Sequence, residues 1–359
     1  MLGHTGSDNE FLTIPEIIRV AEERLPREVW GFASGGADTE TTLRRNRMAM
    51  ERIALCQRVL VGVQRRDTST TFLGHRISTP VMLAPVGSLS LFDPDGALAV
   101  ARVAEQMGTI AFISTVTAPV LEEVAAGVSN PLVFQLYAYG DRDWVKSIVR
   151  RVERAGYAAL CLTVDTAVYG RRDRDLENRF FPRQSGERPN LAGLPGLSPG
   201  TDVNQAALTW EYLSWLRDLT SLPLILKGVM MPEDAVRAVE HGVNAVYVSN
   251  HGGRQLDHSP ATIEVLPEVA RAVAGRAEVL VDSGFQRGTD VVKGLALGAR
   301  AVLIGKLLVW GLGAAGESGL ARILELLRTE IDVAMGLIGV ECLEEIGPRV
   351  VRPALPNVT

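Results

Sequence analysis

The stretch 248-VSNHGGRQLDHSPAT-262 sets His251 and Arg254 three residues apart, with two glycines between them, directly after an apolar run. A His exchanges a proton near neutral pH, and an Arg holds an oxyanion through two parallel hydrogen bonds. Paired glycines allow a tight turn and a close approach of backbone to something bound. On these residues alone, a loop with a solvated Arg254 and an internally bonded His251 explains the pattern as well as a proton-abstracting site does. The rest of the chain has to decide.

Stepping along the 359 residues, short apolar runs of strand length recur: 80-PVMLAP-85, 111-AFISTV-116, 132-LVFQLYA-138, 158-AALCLTVD-165, 223-PLILKGV-229, 245-AVYVSNHG-252, 278-EVLVDSG-284 and 301-AVLIGKL-307. They are continuously hydrophobic rather than alternating, as strands buried on both faces are. Helical patterns lie between them, among them 95-DGALAVARVAEQMG-108, 141-DRDWVKSIVRRVERAG-156, 232-PEDAVRAVEHG-242 and 288-GTDVVKGLALG-298. Eight strands alternating with helices predict a (β/α)8 TIM barrel. An open doubly wound sheet is the runner-up, weakened because no GxGxxG follows the first strand. Residues 1–70, including 14-IPEIIRVAEERLP-26, read as a helical extension packed on a barrel formed by 71–359. Residues 171–209 read as a lid-like polar insertion after the fourth strand, on the face where barrels keep their active sites.

If the barrel closes, the C-terminal strand ends converge. They carry Ser114, Gln135 with Tyr137, Thr163 with Asp165, Arg172 just beyond, Lys227, Ser249 with His251 and Arg254, and Asp282. Any one of these could be a cap or a partnered buried polar group; as a set they are hard to explain by stability alone. One His, two Arg and a carboxylate suit proton abstraction from a small anionic substrate. Lys227 reads either as a Schiff-base nucleophile or as a fixed positive charge beside an electron-accepting ring. Glycines in 282-DSGFQRGTD-290 and 304-IGKLL-308 fall where barrels bind phosphate, which implies a phosphorylated cofactor or substrate.

Composition narrows the classes. A net charge of -5 with interspersed signs gives no footprint for nucleic acid. Cys56, Cys161 and Cys342 form neither a metal spacing nor a disulfide framework, so no metal is expected and the compartment is expected to be reducing. The run 301-AVLIGKLLVWGLGAA-315 is too short and too interrupted to read as a membrane span, and MLGHTGSDNE lacks a signal-peptide pattern. The expectation is a soluble, cytoplasmic protein without a membrane partner.

These motifs in this order resemble the FMN-dependent L-2-hydroxy acid oxidase and dehydrogenase family, which includes glycolate oxidase, lactate oxidase and mandelate dehydrogenase. The likeness runs through 36-GADTETTLRRNRMAMERI-53, 84-APVGSLSLFDPDGALAVARVA-104, 134-FQLYAYGDR-142, 162-LTVDTAVYGRRDRDLENRF-180, 226-LKGV-229, 248-VSNHGGRQLD-257, 282-DSGFQRGTDVVKGLALGA-299 and 303-LIGK-306. The resemblance implies FMN across the barrel mouth, contacted by the backbone around Val86 and Gly87 and by Ser114, Gln135, Thr163, Lys227 and Ser249. Lys227 would stabilise the anionic reduced ring. Asp282, Ser283, Gly284 and the backbone at Gly305 and Lys306 would hold the ribityl-phosphate arm. His251 would take the hydroxyl proton as hydride passes to flavin N5, and Asp165 would stabilise the imidazolium. Arg254 and Arg172 would grip the substrate carboxylate, with Tyr137 bonding the reacting oxygen or the carboxylate. Electrons would pass to oxygen or another acceptor, and a homotetramer is expected by the same resemblance.

Four positions depart from the family pattern. Phe32 stands where a substrate-binding Tyr is usual, and Val116 where short-chain oxidases often carry Trp, so a medium or bulky hydrophobic 2-hydroxy acid is expected. Gln286 occupies the place of an Arg on the FMN phosphate and Lys306 replaces a second Arg, so either weaker FMN binding or substitution by Arg287 is expected. Ser283 replaces a Gly, and its backbone is expected to donate if its φ is negative. The 171–209 insertion carries no apolar anchor. The alternatives are an FMN barrel of another reaction class (an isomerase or a peptide-modifying oxidase) and a non-catalytic flavin-binding relative.

Overall fold

The computed structural model describes residues 11–182, 188–193 and 205–354. Three helices come first: α1 (Ile14–Arg24), α2 (Arg27–Ser34) and α3 (Thr41–Glu51). Thr13 caps α1 by accepting the Glu16 N–H, and Ile14, Ile17 and Ala21 form its buried stripe. Strand β1 (Ile53–Leu55) follows, then a hairpin of β2 (Thr70–Phe72) and β3 (His75–Ile77).

The barrel is built from β4 (Val81–Leu83), β5 (Ala111–Ser114), β6 (Leu132–Leu136), β7 (Ala159–Thr163), β8 (Leu224–Val229), β9 (Ala245–Val248), β10 (Glu278–Val281) and β11 (Ala301–Ile304). Each pairs in parallel with its sequence neighbour and β11 closes on β4, so the doubly wound alternative is excluded. The helices α4 (Ala97–Gln106), α5 (Leu121–Ala126), α6 (Arg142–Arg154), α7 (Asp173–Glu177), α8 (Trp210–Leu219), α9 (Pro232–Glu240), α10 (Thr262–Val273) and α11 (Gly288–Ala296) lie between strands, and α12 (Lys306–Ile338) follows the last. Helix α6 starts as its sequence predicts, with the Asp141 side chain accepting the Trp144 N–H at 2.8 Å.

Inside the barrel, Met82, Phe112, Val133, Cys161, Ile225, Tyr247 and Leu280 pack with Phe72 and Ile77 of the hairpin. The Leu73 N–H reaches the Glu278 carboxylate at the start of β10, so the hairpin plugs the N-terminal end and leaves the other mouth for the site. The register sets Ser114 beside Gln135 and Thr163 beside Lys227.

The apolar run 301–315 divides into β11 and the first turns of α12. By length and composition α12 could cross a membrane, but Leu308, Ile323, Leu324, Leu327 and Ile331 are buried in the protein core and its other side packs on α1. It bends at Ala315 and Gly316, where the backbone leaves helical geometry. At the chain's end β12 (Val351–Pro353) pairs with β1.

Of the polar insertion, α7 packs against α2, and Arg174 donates to Glu40 at 2.6 Å. The expectation of a lid over 183–187 and 194–204 lies outside the described residues.

Candidate active site

At the C-terminal mouth the strand ends line one cleft, about 1390 Å³ counted out to its opening. Ser114, Gln135, Thr163 and Ser249, expected as cofactor contacts, are buried at the strand ends as a floor beneath the residues that line the cleft. The Ser114 hydroxyl donates to Gln135 Oε1 at 2.7 Å, which leaves the buried Gln135 Nε2 without a partner. Thr163 Oγ1, one strand on, is buried and equally unpartnered. Lys227 Nζ donates to Ser249 Oγ at 3.2 Å. Orphaned buried polar groups cost stability unless a ligand satisfies them. A flat heteroaromatic ring edged with carbonyls and N–H groups fits these donors and the ammonium beside them, so the residues present fit the flavin that the resemblance implies.

His251 and Asp165 meet over this floor. Asp165 lies two residues past β7 and His251 three past β9, so one must cross β8. Gly228 makes the crossing room: its φ is +106°, the β8–β9 register shifts there, and a Cβ on it would lie 2.6 Å from Asp165 Cβ. The His251 Nδ1 then lies 3.1 Å from both Asp165 oxygens. The His251 N–H donates to Ser249 Oγ, and Gly252 and Gly253 turn the chain through φ of +67° and +74°. Burial, together with the Lys227 charge, pushes the His251 imidazole below its ordinary pKa, against the pull of Asp165. Burial alone would raise the Asp165 carboxyl, but the His251 and Lys227 charges bring it below the usual carboxylate value. The pair therefore rests as carboxylate and neutral imidazole, the state of a ready base. Asp165 faces the imidazole Nδ1, which leaves Nε2 to take a proton.

Both predicted guanidiniums line the cleft. Arg172 is 6% exposed, lies 4.2 Å over the Tyr169 ring and donates to the Arg254 carbonyl. Arg254 lies 4.8 Å over the Phe32 ring and donates to the carbonyls of Phe32 and Gly35, at the end of α2. Burial and the neighbouring Arg172 push Arg254 down to about 10, which still leaves it charged at neutral pH. Tyr137 stacks on Tyr139 with ring centroids 5.0 Å apart, and burial pushes its phenol well up, so it stays a proton donor. Phe32 meets Phe180 edge to face at 6.0 Å. A Cβ on Gly87 would lie 2.7 Å from Val116 Cγ2, so Val116 fills the room that a side chain at 87 would need.

At the other end of the cleft lie Asp282, Ser283, Gly284, Gly305 and Val86. Tyr247 donates to Asp282 Oδ2 at 2.8 Å and Ser283 to Oδ1 at 2.7 Å. A carboxylate accepts up to four bonds, so Asp282 keeps capacity for a ribityl hydroxyl. Two expectations are corrected here. Ser283 has φ of +75°, not a negative value; its hydroxyl, rather than a β-region backbone, makes its contacts, accepting the Gly252 N–H at 2.9 Å. Arg287 does not substitute for the absent arginine, because its side chain turns to Glu330 at 2.7 Å and stands outside the cleft. The Lys306 backbone opens α12 at the cleft, but its ammonium is spent on the Ala33 and Gly35 carbonyls. Burial and the Arg254 and Arg172 charges push that amine well down.

Several residues here had no role in the sequence reading. Gln255 donates to the carbonyls of Asp165 and Val168, tying the His251 loop to the Asp165 loop. It stood inside the conspicuous 248–257 motif, which was signal enough to suspect it. Tyr139 and Tyr169 line the cleft, and Phe180 packs against Phe32 behind the lining. Arg47 enters the cleft from α3, a helix that the strand-end argument passes over.

A family model described as FMN-dependent dehydrogenase matches residues 21–353. The chain is 40% identical over 358 residues to a peroxisomal (S)-2-hydroxyacid oxidase of Arabidopsis thaliana, covering 96% of this chain and 97% of that one. It is 42% identical over 347 residues to an L-lactate oxidase of a Nostoc species, covering 92% and 95%. Among solved structures, mandelate oxidase with benzoyl-formic acid matches with a TM-score of 0.89 at 40% identity, over 97% of this chain and 100% of that one.

Proposed function

The chain belongs to the FMN-dependent family of 2-hydroxy acid oxidases and dehydrogenases, and from that premise we propose that His251 is the base of its reaction and that its substrate carries a medium or bulky hydrophobic side chain. The reaction is oxidation of a 2-hydroxy acid to the 2-oxo acid. FMN, when bound, supplies the two-electron acceptor for the hydride leaving the α-carbon. His251 removes the hydroxyl proton through Nε2, and Asp165 holds the ring and balances the imidazolium. Arg172 and Arg254 hold the substrate carboxylate, which fixes the hydroxyl at the imidazole. The protonated Tyr137 donates to the oxygen that becomes the carbonyl or to the carboxylate. Lys227 would place positive charge beside the ring that FMN supplies and so favour its reduced form.

The observation that carries this reading is the His251–Asp165 contact at 3.1 Å, with the buried Arg172 and the half-buried Arg254 in the same cleft as His251. The substrate class rests on the walls: Phe32 in edge contact with Phe180, Val116, and the Tyr137–Tyr139 stack. Comparing kcat/KM for glycolate, lactate, 2-hydroxy-octanoate and mandelate tests it, with the larger acids expected to lead. A clear preference for glycolate overturns it. Rates in air and under nitrogen with an artificial acceptor show which acceptor is used.

A homotetramer and a cytoplasmic location belong to the same proposal. Assembly is supported by the exposed Val59, Leu60 and Val61, near exposed Leu337 of α12. The location is supported by three free cysteines. Sedimentation and fractionation test them.

A further inference from the structure

The cleft raises a charge problem at its phosphate end. The loops after β10 and β11 lead into the N-termini of α11 and α12, the place where a barrel receives a phosphate. Helix N-termini supply N–H donors and partial charge, while a dianion also calls for a full cation. Gln286 is neutral. Arg287 stands outside the cleft with its side chain turned to Glu330, and Lys306 is committed to the end of α2. Lys227 holds the floor at Ser249, and Arg172 and Arg254 stand at the substrate end.

Arg47 remains. It comes from α3 and lines the cleft together with Gly284, Gln286 and Gly305. Its Nη1 donates to the Gly284 carbonyl and to Asp290 Oδ2 at 2.6 Å. Asp290 is 3% exposed and also accepts the N–H groups of Gln286 and Arg287 at 3.1 Å, so the guanidinium is fixed against the opening turn of α11. Both contacts use Nη1. The side chain is 31% exposed, enough to meet a ligand in the cleft.

We propose that Arg47, delivered by the N-terminal extension, is the cation that holds the FMN phosphate in this chain, in place of the guanidinium absent at Gln286. The inference rests on the flavin reading above. It makes the extension part of the cofactor site rather than only packing for the barrel. It also gives Asp290 a double task, capping α11 and aiming Arg47.

The test compares FMN with riboflavin, which has the same ring and no phosphate. Apoprotein is titrated with each while flavin fluorescence is followed. The wild-type chain should prefer FMN. Arg47→Ala should weaken FMN by about ten- to a hundred-fold, the worth of a charge-assisted bond, while riboflavin binds as before. Arg47→Gln, which keeps a donor for the Gly284 carbonyl without the charge, guards against misfolding and should show the same selective loss. Gln286→Arg on the Arg47→Ala background should restore the preference, and Arg287→Ala should leave it intact. An unchanged preference in Arg47→Gln, or an equal loss for both flavins, overturns the inference while leaving the flavin site standing. If the wild-type chain binds neither flavin, the cofactor reading itself fails and the inference with it.

Discussion

The His251 imidazole and the Asp165 carboxylate meet at 3.1 Å across an intervening strand, and Gly228 is what lets them meet. Asp165→Asn should preserve the fold and lower turnover by about 10²- to 10⁴-fold, since the base loses its orienting charge. His251→Asn should do at least as much. Gly228→Ala should be as damaging as Asp165→Asn, because a methyl there displaces the carboxylate and the residue would also have to hold φ of +106°. Stopped-flow reduction of bound flavin measures all three. A Gly228→Ala protein with undiminished rate would refute this account of the pair.

The acid limb of the pH profile follows from the same pair. Burial and the Lys227 charge lower the His251 pKa, so the neutral imidazole persists to lower pH than for an ordinary His near 6.5. The base is active when neutral, so kcat/KM should hold down through pH 6.5 and fall only below it. Asp165→Asn removes the one nearby charge that raises His251 and should move the residual limb further toward acid. A wild-type limb centred above 6.5 would contradict the assignment.

The barrel was legible because buried parallel strands write themselves as continuous apolar runs, and all eight did so. The polar residues at their ends followed from the fold. What stayed hidden depended on contacts between distant segments. Arg287 looked like a phosphate ligand until Glu330, 43 residues away, turned out to hold it. The left-handed φ of Ser283 is set by the Asp282 and Gly252 contacts, which no local pattern announces. The aromatic side of the cleft draws Phe32 and Tyr139, with Phe180 packed against Phe32, from separate parts of the chain.

Ser283 sits in strained left-handed geometry and links the Asp282 carboxylate to the Gly252 N–H. Ser283→Ala keeps the strain and loses both bonds, so it should cost about 1–2 kcal/mol. Ser283→Gly loses the bonds but relieves the strain, so its stability should exceed that of Ser283→Ala. Urea denaturation of the wild type and both variants decides: an undiminished Ser283→Ala would mean that the hydroxyl does not hold the loop, and the reverse order of the two variants would mean that the left-handed backbone is not strained.

Asp257 ties the extension to the His251 loop. Its carboxylate accepts the N–H groups of Thr39, Thr41 and Thr42, capping α3 from another segment. Burial alone would raise its pKa, but these bonds outweigh burial and hold it well below the usual range. A depressed carboxyl adds stability that is complete above the unfolded value near 4 and disappears as pH falls through the folded value. Asp257→Ala should therefore cost about 1–2 kcal/mol at neutral pH and progressively less under strongly acidic conditions. Denaturation curves at several pH values check both, and a cost independent of pH would contradict the capping role.

Phe32→Tyr returns a hydroxyl to the substrate wall beside Arg254. It should raise kcat/KM for glycolate relative to mandelate by about five-fold, the worth of one hydrogen bond of roughly 1 kcal/mol. A ratio that does not move would show that Phe32 does not face the substrate.

The central claim is that this cleft oxidises a 2-hydroxy acid by reducing bound FMN, with His251 as base. Anaerobic addition of (S)-mandelate to the FMN-loaded protein, followed in the visible spectrum for the wild type and for His251→Asn, tests it most directly. The account predicts rapid loss of the oxidised flavin absorbance in the wild type and a rate lower by about 10²-fold or more in the variant. Flavin that both proteins reduce equally fast, or that no 2-hydroxy acid of any size reduces in the wild type, would contradict it.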